Sequence, residues 1–78
     1  MPSNYTKHDI IYPTNFEFSA EFIKLNAQGE VIMSFKVELI YTAFSYETAR
    51  TEALNKAQAI RRELAESECW YFKLDYEM

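Results

Sequence analysis

Hydrophobic and polar residues alternate along two neighbouring segments of the chain. In the first, residues 15–26, the apolar positions share one parity: Phe16, Phe18, Ala20 and Phe22. In the second, residues 30–44, six apolar residues lie on one face: Val31, Met33, Phe35, Val37, Leu39 and Tyr41. A period of two with one apolar face is typical of half-buried β-strands. The pattern therefore predicts two consecutive strands.

The only glycine of the chain, Gly29, lies between these strands. A two-residue turn at 28–29 would pair Phe22 with Phe35 and keep both apolar faces on one side of the hairpin. The same register predicts three further pairs: Ala20 with Val37, Phe18 with Leu39, and Phe16 with Tyr41. The alternation slips at 23–24, so we expect a β-bulge near these residues or a longer loop.

From Tyr46 to about Ser67 the period changes to that of a helix. Ser45 is a favourable N-cap, and the residues that follow it are largely strong helix formers. One apolar stripe recurs at steps of three and four: Tyr46, Ala49, Ala53, Ala57, Ile60 and Leu64. Ion pairs four residues apart are expected on the exposed side: Glu52–Lys56 and Arg62–Glu66. Because alanine dominates the stripe, the helix is expected to lie close to a sheet of large side chains.

A third strand is predicted over residues 69–78, where alternation returns. Its inner face would carry Trp70, Phe72, Leu74 and Tyr76. A helical crossover places this strand beside the first, and the right-handed rule places the helix on the aromatic face. The predicted fold is a single α+β domain, ββαβ, over 15–78, with a three-stranded antiparallel sheet of order 2-1-3. Residues 1–14 are expected to form an N-terminal arm, and a fourth strand at residues 10–12 is an alternative for part of it.

Composition limits the classes of function that fit this fold. The chain has 78 residues, 12 acidic against 8 basic, with a net charge of −4, which disfavours a general nucleic-acid-backbone binder. No apolar run approaches the ~20 residues of a membrane span. The N-terminus lacks the basic start and apolar stretch of a signal peptide. We therefore expect a cytoplasmic protein, with no membrane partner and no direct nucleic-acid partner.

Candidate catalytic and metal-binding residues are few. The single histidine, His8, lies in the predicted arm, where nothing fixes its geometry for general-base chemistry. The single cysteine, Cys69, lies near Glu66 and Glu68, and negative neighbours disfavour a reactive thiolate. One glycine is too few for a phosphate-binding loop. We expect no enzyme activity, no cofactor and no metal.

The outer face of the predicted sheet, which the helix leaves open, is the more informative surface. Acidic residues dominate it, Lys36 and Lys73 lie among them, and apolar residues, including Ile23, interrupt the charges. Isolated exposed apolar residues are normal, but several on one open face suggest a binding surface. The predicted partner-binding residues are Glu17, Glu21, Ile32, Glu38, Ile40, Tyr71, Asp75 and Glu77. Such a surface suits a partner with a basic surface.

In layout and size, the chain resembles small bacteriophage proteins that disable host machinery. Compact anti-CRISPR proteins and the small phage inhibitor of bacterial RNA polymerase share a hairpin, a Ser/Thr-capped helix with an alanine-rich run, and a last strand. The corresponding stretches here are residues 35–41, 45–49 and 70–76. The resemblance implies a small non-enzymatic inhibitor that binds and blocks a nucleic-acid-processing or defence complex of a bacterial host.

Two further hypotheses fit the sequence. A structural homo-oligomer without a catalytic role could form if an exposed edge strand paired with its copy, so a homodimer is an expected alternative. A nucleic-acid module would use the basic residues of the helix: Arg50, Lys56, Arg61 and Arg62.

Overall fold

The computed structural model describes residues 12–77, and these form a three-stranded sheet with one helix packed on it. The elements in chain order are β1 (Thr14–Leu25), β2 (Val31–Ala43), α1 (Tyr46–Glu63), a short 3-10 turn (Ser67–Cys69) and β3 (Trp70–Tyr76). The strand order is β2-β1-β3, and β1 pairs antiparallel with both neighbours. The predicted ββαβ class, strand order and helix placement are confirmed. The predicted arm, His8 and the fourth strand at 10–12 lie outside the described residues except for 12–14, of which Thr14 already begins β1.

The register of the β1–β2 hairpin agrees with the alternation of the two strands. Phe22 is opposite Phe35, and the three other predicted pairs are also present: Ala20–Val37, Phe18–Leu39 and Phe16–Tyr41. This register places the apolar side chains of both strands on the face that α1 covers. The alternation of apolar residues therefore fixed the pairing of the long hairpin correctly.

The end of the hairpin has the longer loop that was expected as an alternative to the two-residue turn at 28–29, and its bulge lies elsewhere than predicted. The loop has three residues, 27–29, because the Gly29 N–H donates to the Asn26 carbonyl and the Asn26 N–H donates to Glu30. Gly29 has φ 82°, as the last position of such a loop requires. The register shift lies between Lys24 and Leu25, and the extra residue is on β2 rather than near 23–24 of β1.

That extra residue is Ile32, which stands between two paired positions of β2. Met33 is opposite Lys24, whereas Val31 is opposite Leu25. A bulge turns over the side chains that follow it, so Val31 shares the face of Leu25 and not the helix-covered face predicted for it. Eight residues lie between Lys24 and Met33. The three-residue loop and the two cross-strand pairs that close it account for seven of them, so one residue, Ile32, is left unpaired.

The core lies between the inner face of the sheet and the alanine stripe of α1. Ala49, Ala53 and Ala57 are fully buried, as is Ala20 on the central strand. Two groups of aromatic rings lie on either side of this small-residue contact. One group comprises Phe16, Phe18, Tyr46 and Tyr76; the other comprises Phe22, Phe35, Phe72 and Trp70. Short side chains in the middle let the helix approach the sheet while the large rings close both ends.

Phe35 is only partly buried, which corrects its expected place in the core. Its side chain stacks on Phe22, with ring centroids 5.0 Å apart, but 36% of the residue stays exposed. The cause is topological: β2 is an edge strand with a neighbour on one side only, whereas Phe18 and Phe22 on the central strand β1 are almost completely covered.

The helix begins as predicted but ends four residues earlier than residue 67. The Ser45 hydroxyl accepts a hydrogen bond from the Thr48 N–H at 3.2 Å, which is the expected N-cap. At the other end Leu64 is already extended and Glu66 has a left-handed backbone with φ 57°. The predicted Arg62–Glu66 pair is therefore wrong, because Glu66 lies beyond the helix and pairs with Lys24 instead.

Three side-chain hydrogen bonds, made by Trp70 and Arg61, stabilise this early helix end. The Trp70 indole N–H donates to the Ala65 carbonyl at 3.1 Å. The Arg61 guanidinium donates to the Ser67 carbonyl at 2.9 Å and, at 3.4 Å, to the Trp70 carbonyl. The accepting carbonyls lie in the connection after α1 and at the first residue of β3, so these bonds join the last turn of the helix to the chain that follows it. They also bring the start of β3 under the last turn of α1.

Candidate functional site

The outer face of the sheet is the surface on which the predicted binding residues meet. Because successive residues of a strand point to opposite faces, the residues that alternate with the core positions lie here. The two pairings of β1 arrange them in transverse rows across β2, β1 and β3. Three of these rows contain all seven charged residues that were predicted on this face.

Four carboxylates occupy two adjacent rows at one end of the outer face. In one row Glu38 and Asp75 lie on either side of the buried Ser19. In the next, Glu17 lies opposite Ile40, and its carbonyl accepts a hydrogen bond from the Glu77 N–H at 2.7 Å. Strands are about 4.8 Å apart, so the four carboxylates lie within a patch roughly 10 Å across. We call these four residues the acidic rows.

The third charged row has alternating signs. Glu21 on β1 is half-buried and lies directly opposite Lys36 on one side and Lys73 on the other. Opposite charges placed in this way stabilise a sheet modestly. The five carboxylates and two lysines of the outer face give it a net charge of −3, against −4 for the whole chain. The acidity predicted from composition is thus concentrated at one end of one face.

The apolar residues predicted on the outer face have different fates. Ile40 and Tyr71 are exposed, by 57% and 43%. Ile23 is buried between its cross-strand neighbours Ser34 and Tyr71, so it offers no contact surface. Ile32 is exposed, but it is the unpaired residue of the bulge and belongs to no row. The sheet brings together seven of the eight predicted residues and leaves Ile32 apart.

The basic residues of the helix do not form one surface. Arg61 is committed to the backbone carbonyls of residues 67 and 70, so its guanidinium has a structural role. Arg50, Lys56 and Arg62 are exposed. Of the four basic residues that the nucleic-acid hypothesis requires, Arg61 is therefore already engaged within the protein, and three are free to contact a ligand.

An exposed apolar strip along β2 was not among the predicted binding residues. Met33 and Phe35 are substantially exposed on the helix-covered face near the hairpin end of this edge strand, and Val31, turned over by the bulge, is exposed on the other face. Alternation alone assigned them to the core, since the sequence pattern does not show how far the helix extends over each strand. The sequence carried one indication of this exposure, because the alternating apolar run of the second predicted strand is longer than that of the third.

Residues 12–77 contain no cavity, and within them no group of three or more His, Cys, Asp or Glu residues is arranged to hold a metal ion. Cys69 is a half-buried free thiol. Within the same range, no helix has the length and apolar character needed to cross a membrane.

Burial, aided by the nearby Glu52 charge, raises the pKa of the Tyr41 hydroxyl.

Comparison of the chain with protein-family models, with curated proteins and with solved structures finds no match.

Proposed function

We propose that the protein is a non-enzymatic, protein-binding inhibitor that acts in the cytoplasm of a bacterial host. In this proposal it blocks a nucleic-acid-processing or defence complex, as do the small phage proteins that it resembles in layout. The contact surface is the outer face, with the acidic rows as its charged part. The observation that carries the proposal is the placement of four carboxylates in two adjacent rows on a face that no other element of residues 12–77 covers.

Charge complementarity supports a basic partner surface. Proteins that bind nucleic acid carry clusters of Lys and Arg that are prepared for an anionic ligand. Carboxylates within a patch about 10 Å across, on a rigid sheet, can meet such a cluster without first ordering a loop. This attraction speeds encounter and selects the partner, and salt weakens it.

Two exposed apolar residues beside the charges support a contact that is not purely electrostatic. Ile40 adjoins Glu17 in one of the acidic rows, and Tyr71 lies on β3 at the other end of the face. Aromatic residues are enriched in interfaces because they bury a large area with few rotatable bonds. The face thus combines a charged end with apolar contacts.

The test is affinity capture of the full chain from bacterial lysate, followed by an inhibition assay on the complex that is captured. We expect one large nucleic-acid-processing complex, retained at low salt and released as salt rises. The purified protein should then inhibit the activity of that complex at a stoichiometric ratio. Glu17→Lys and Asp75→Lys should each weaken both capture and inhibition.

Glu63→Lys is the matched control, since it makes the same charge change on the last turn of α1, away from the outer face. It should leave capture and inhibition unchanged. If the outer-face variants and the control behave alike, the outer face is not the contact surface. If a captured complex keeps full activity at saturating protein, the protein is not its inhibitor.

A further inference from the structure

Among residues 12–77, no strand pairs with the outer edge of β2, which has a row of backbone groups without partners in that range. The hydrogen bond from Glu77 to Glu17 shows that odd-numbered residues of β1 bond to β3, and the bond from Asn26 to Glu30 shows that even-numbered residues bond toward β2. In an antiparallel ladder the odd-numbered β2 residues opposite them therefore point inward. Five β2 residues direct their N–H and C=O groups to the open edge: Ser34, Lys36, Glu38, Ile40 and Thr42.

Exposed apolar side chains lie beside this edge on the helix-covered face. Met33 is 55% exposed and Phe35 is 36% exposed, although both have the parity of core residues. β2 is a 13-residue edge strand with only two charged residues, Lys36 and Glu38. Long, apolar edge strands pair readily with another strand unless charges or bulges prevent it. The open edge of β2 is therefore expected either to be blocked or to pair with another strand.

The sequence of β2 is complementary to itself in one antiparallel register. Strand Val31–Ala43 has its midpoint at Val37. When two copies pair about this midpoint, Lys36 lies opposite Glu38 of the second copy, and the contact occurs twice by symmetry. A shift to the next register of the same parity, in either direction, puts Lys36 opposite Lys36 or Glu38 opposite Glu38. Like charges directly opposite destabilise strand pairing, so the charges select the register with full overlap.

We propose that the protein forms a two-fold symmetric homodimer in which β2 pairs antiparallel with β2 of a second copy about Val37. The two sheets then form one six-stranded sheet. Phe35 lies opposite Leu39 of the other copy, and Met33 lies opposite Tyr41, so the exposed apolar residues gain partners on the helix-covered face. The bulge at Ile32 limits the regular ladder to residues 33–41.

The geometry leaves room for both helices. A two-fold axis perpendicular to the sheet keeps both copies of α1 on the same face. The two β1 strands are three strand spacings apart, about 14 Å, and a helix with its side chains is about 10–12 Å wide. The two outer faces become continuous on the opposite side. The dimer therefore doubles the acidic face, and it stands whether or not that face binds the proposed partner.

The other sheet edge, on β3, is a poorer candidate. This strand has seven residues, Trp70–Tyr76, and its midpoint is Lys73. Pairing with full overlap would put Lys73 opposite Lys73 of the second copy, which is repulsive. Asp75 lies in the same transverse row as Glu38, on the other side of Ser19. Substitution of Asp75 is therefore a matched control for substitution of Glu38.

The test is the molar mass of the full chain by light scattering over a concentration series. The mass should rise from the monomer value of 9.2 kDa to twice that value. Glu38→Lys alone and Lys36→Glu alone should each raise the dissociation constant by about tenfold or more, because two attractive pairs become repulsive. An equimolar mixture of these two variants should form a heterodimer, and the double variant should dimerise again.

Glu38→Lys is the cleaner single variant, because its neighbour on β1 is the uncharged Ser19, whereas Lys36→Glu faces Glu21 within the monomer. Thermal unfolding of each variant checks that the monomer is folded. Asp75→Lys should leave dimerisation unchanged, although it should weaken the proposed partner contact, which separates the two proposals. A monomer at every concentration overturns the dimer. So does a dimer that ignores both single substitutions, or one that Asp75→Lys disrupts.

Discussion

Lys24 on the central strand and Glu66 in the connection between α1 and β3 form an ion pair, the only one among residues 12–77. It joins the sheet to the end of the helix at a residue with a left-handed backbone. The hydrogen bond and charge of Glu66 raise the pKa of the Lys24 ammonium. The hydrogen bond and charge of Lys24 lower the pKa of the Glu66 carboxyl.

This ion pair should contribute to stability only within a pH window. The lowered pKa of Glu66 gives stability that is present above the ordinary carboxyl pKa of 4.5 and is lost as pH falls through the folded-state pKa. The raised pKa of Lys24 gives stability that is present below 10.5 and is lost as pH rises. Lys24→Met should therefore lower the free energy of unfolding at neutral pH, and the difference should shrink in acid. Urea titrations at several pH values measure this; a difference that does not vary with pH would contradict the ion-pair account.

Gly29→Ala should destabilise the hairpin through the backbone alone. No heavy atom lies within 4 Å of an added Cβ, so the cost comes from the φ of 82°. We expect a loss of about 1 kcal/mol in the free energy of unfolding. Gly29→Asn should cost less, since Asn tolerates the left-handed region. Equal losses for the two variants in urea denaturation would show that strain at this position is not the cause.

Ala53→Leu should disrupt the contact between α1 and the sheet. Ala53 is fully buried in the middle of the alanine stripe, and a larger side chain would push the helix away. Overpacking of this kind costs about 1–3 kcal/mol. Gln58→Leu, on the exposed side of the same helix, should leave stability nearly unchanged. Thermal unfolding of both variants distinguishes overpacking from a general effect of adding leucine to the helix.

Arg61→Lys should lower stability by about 1–2 kcal/mol, because an ammonium cannot reproduce the two guanidinium bonds to the carbonyls of residues 67 and 70. Arg62→Lys is the adjacent control and should be within about 0.5 kcal/mol of the parent. The measurement is chemical denaturation followed by the fluorescence of Trp70, the only tryptophan. If Arg61→Lys matches the control, the helix end does not depend on these bonds.

Local pattern was sufficient for most of the fold. The parity of apolar residues determined which faces of β1 and β2 meet, and the Phe22–Phe35 pair followed from it. The change of period at Ser45 located the helix start, because an N-cap is a local interaction. The positions of the acidic rows followed from the same parity, so seven of the eight predicted surface residues lie together.

Non-local interactions caused the errors. The early helix end depends on Trp70 and Arg61, whose partners are known only once β3 has docked. The exposure of Phe35 depends on which strand forms the edge and on where α1 lies. The bulge at Ile32 depends on the choice of a three-residue loop over a two-residue turn, for which the sequence offered both solutions.

The unpaired position of Ile32 determines where this hairpin can change length. Deleting Ile32 would leave Met33 opposite Lys24 and Val31 opposite Leu25, so every other side chain would keep its face. Deleting Val37 would instead turn over the residues between it and the bulge, and would carry the apolar ones to the solvent side. Among natural or engineered variants of this chain, we therefore expect a one-residue gap in β2 to fall at Ile32.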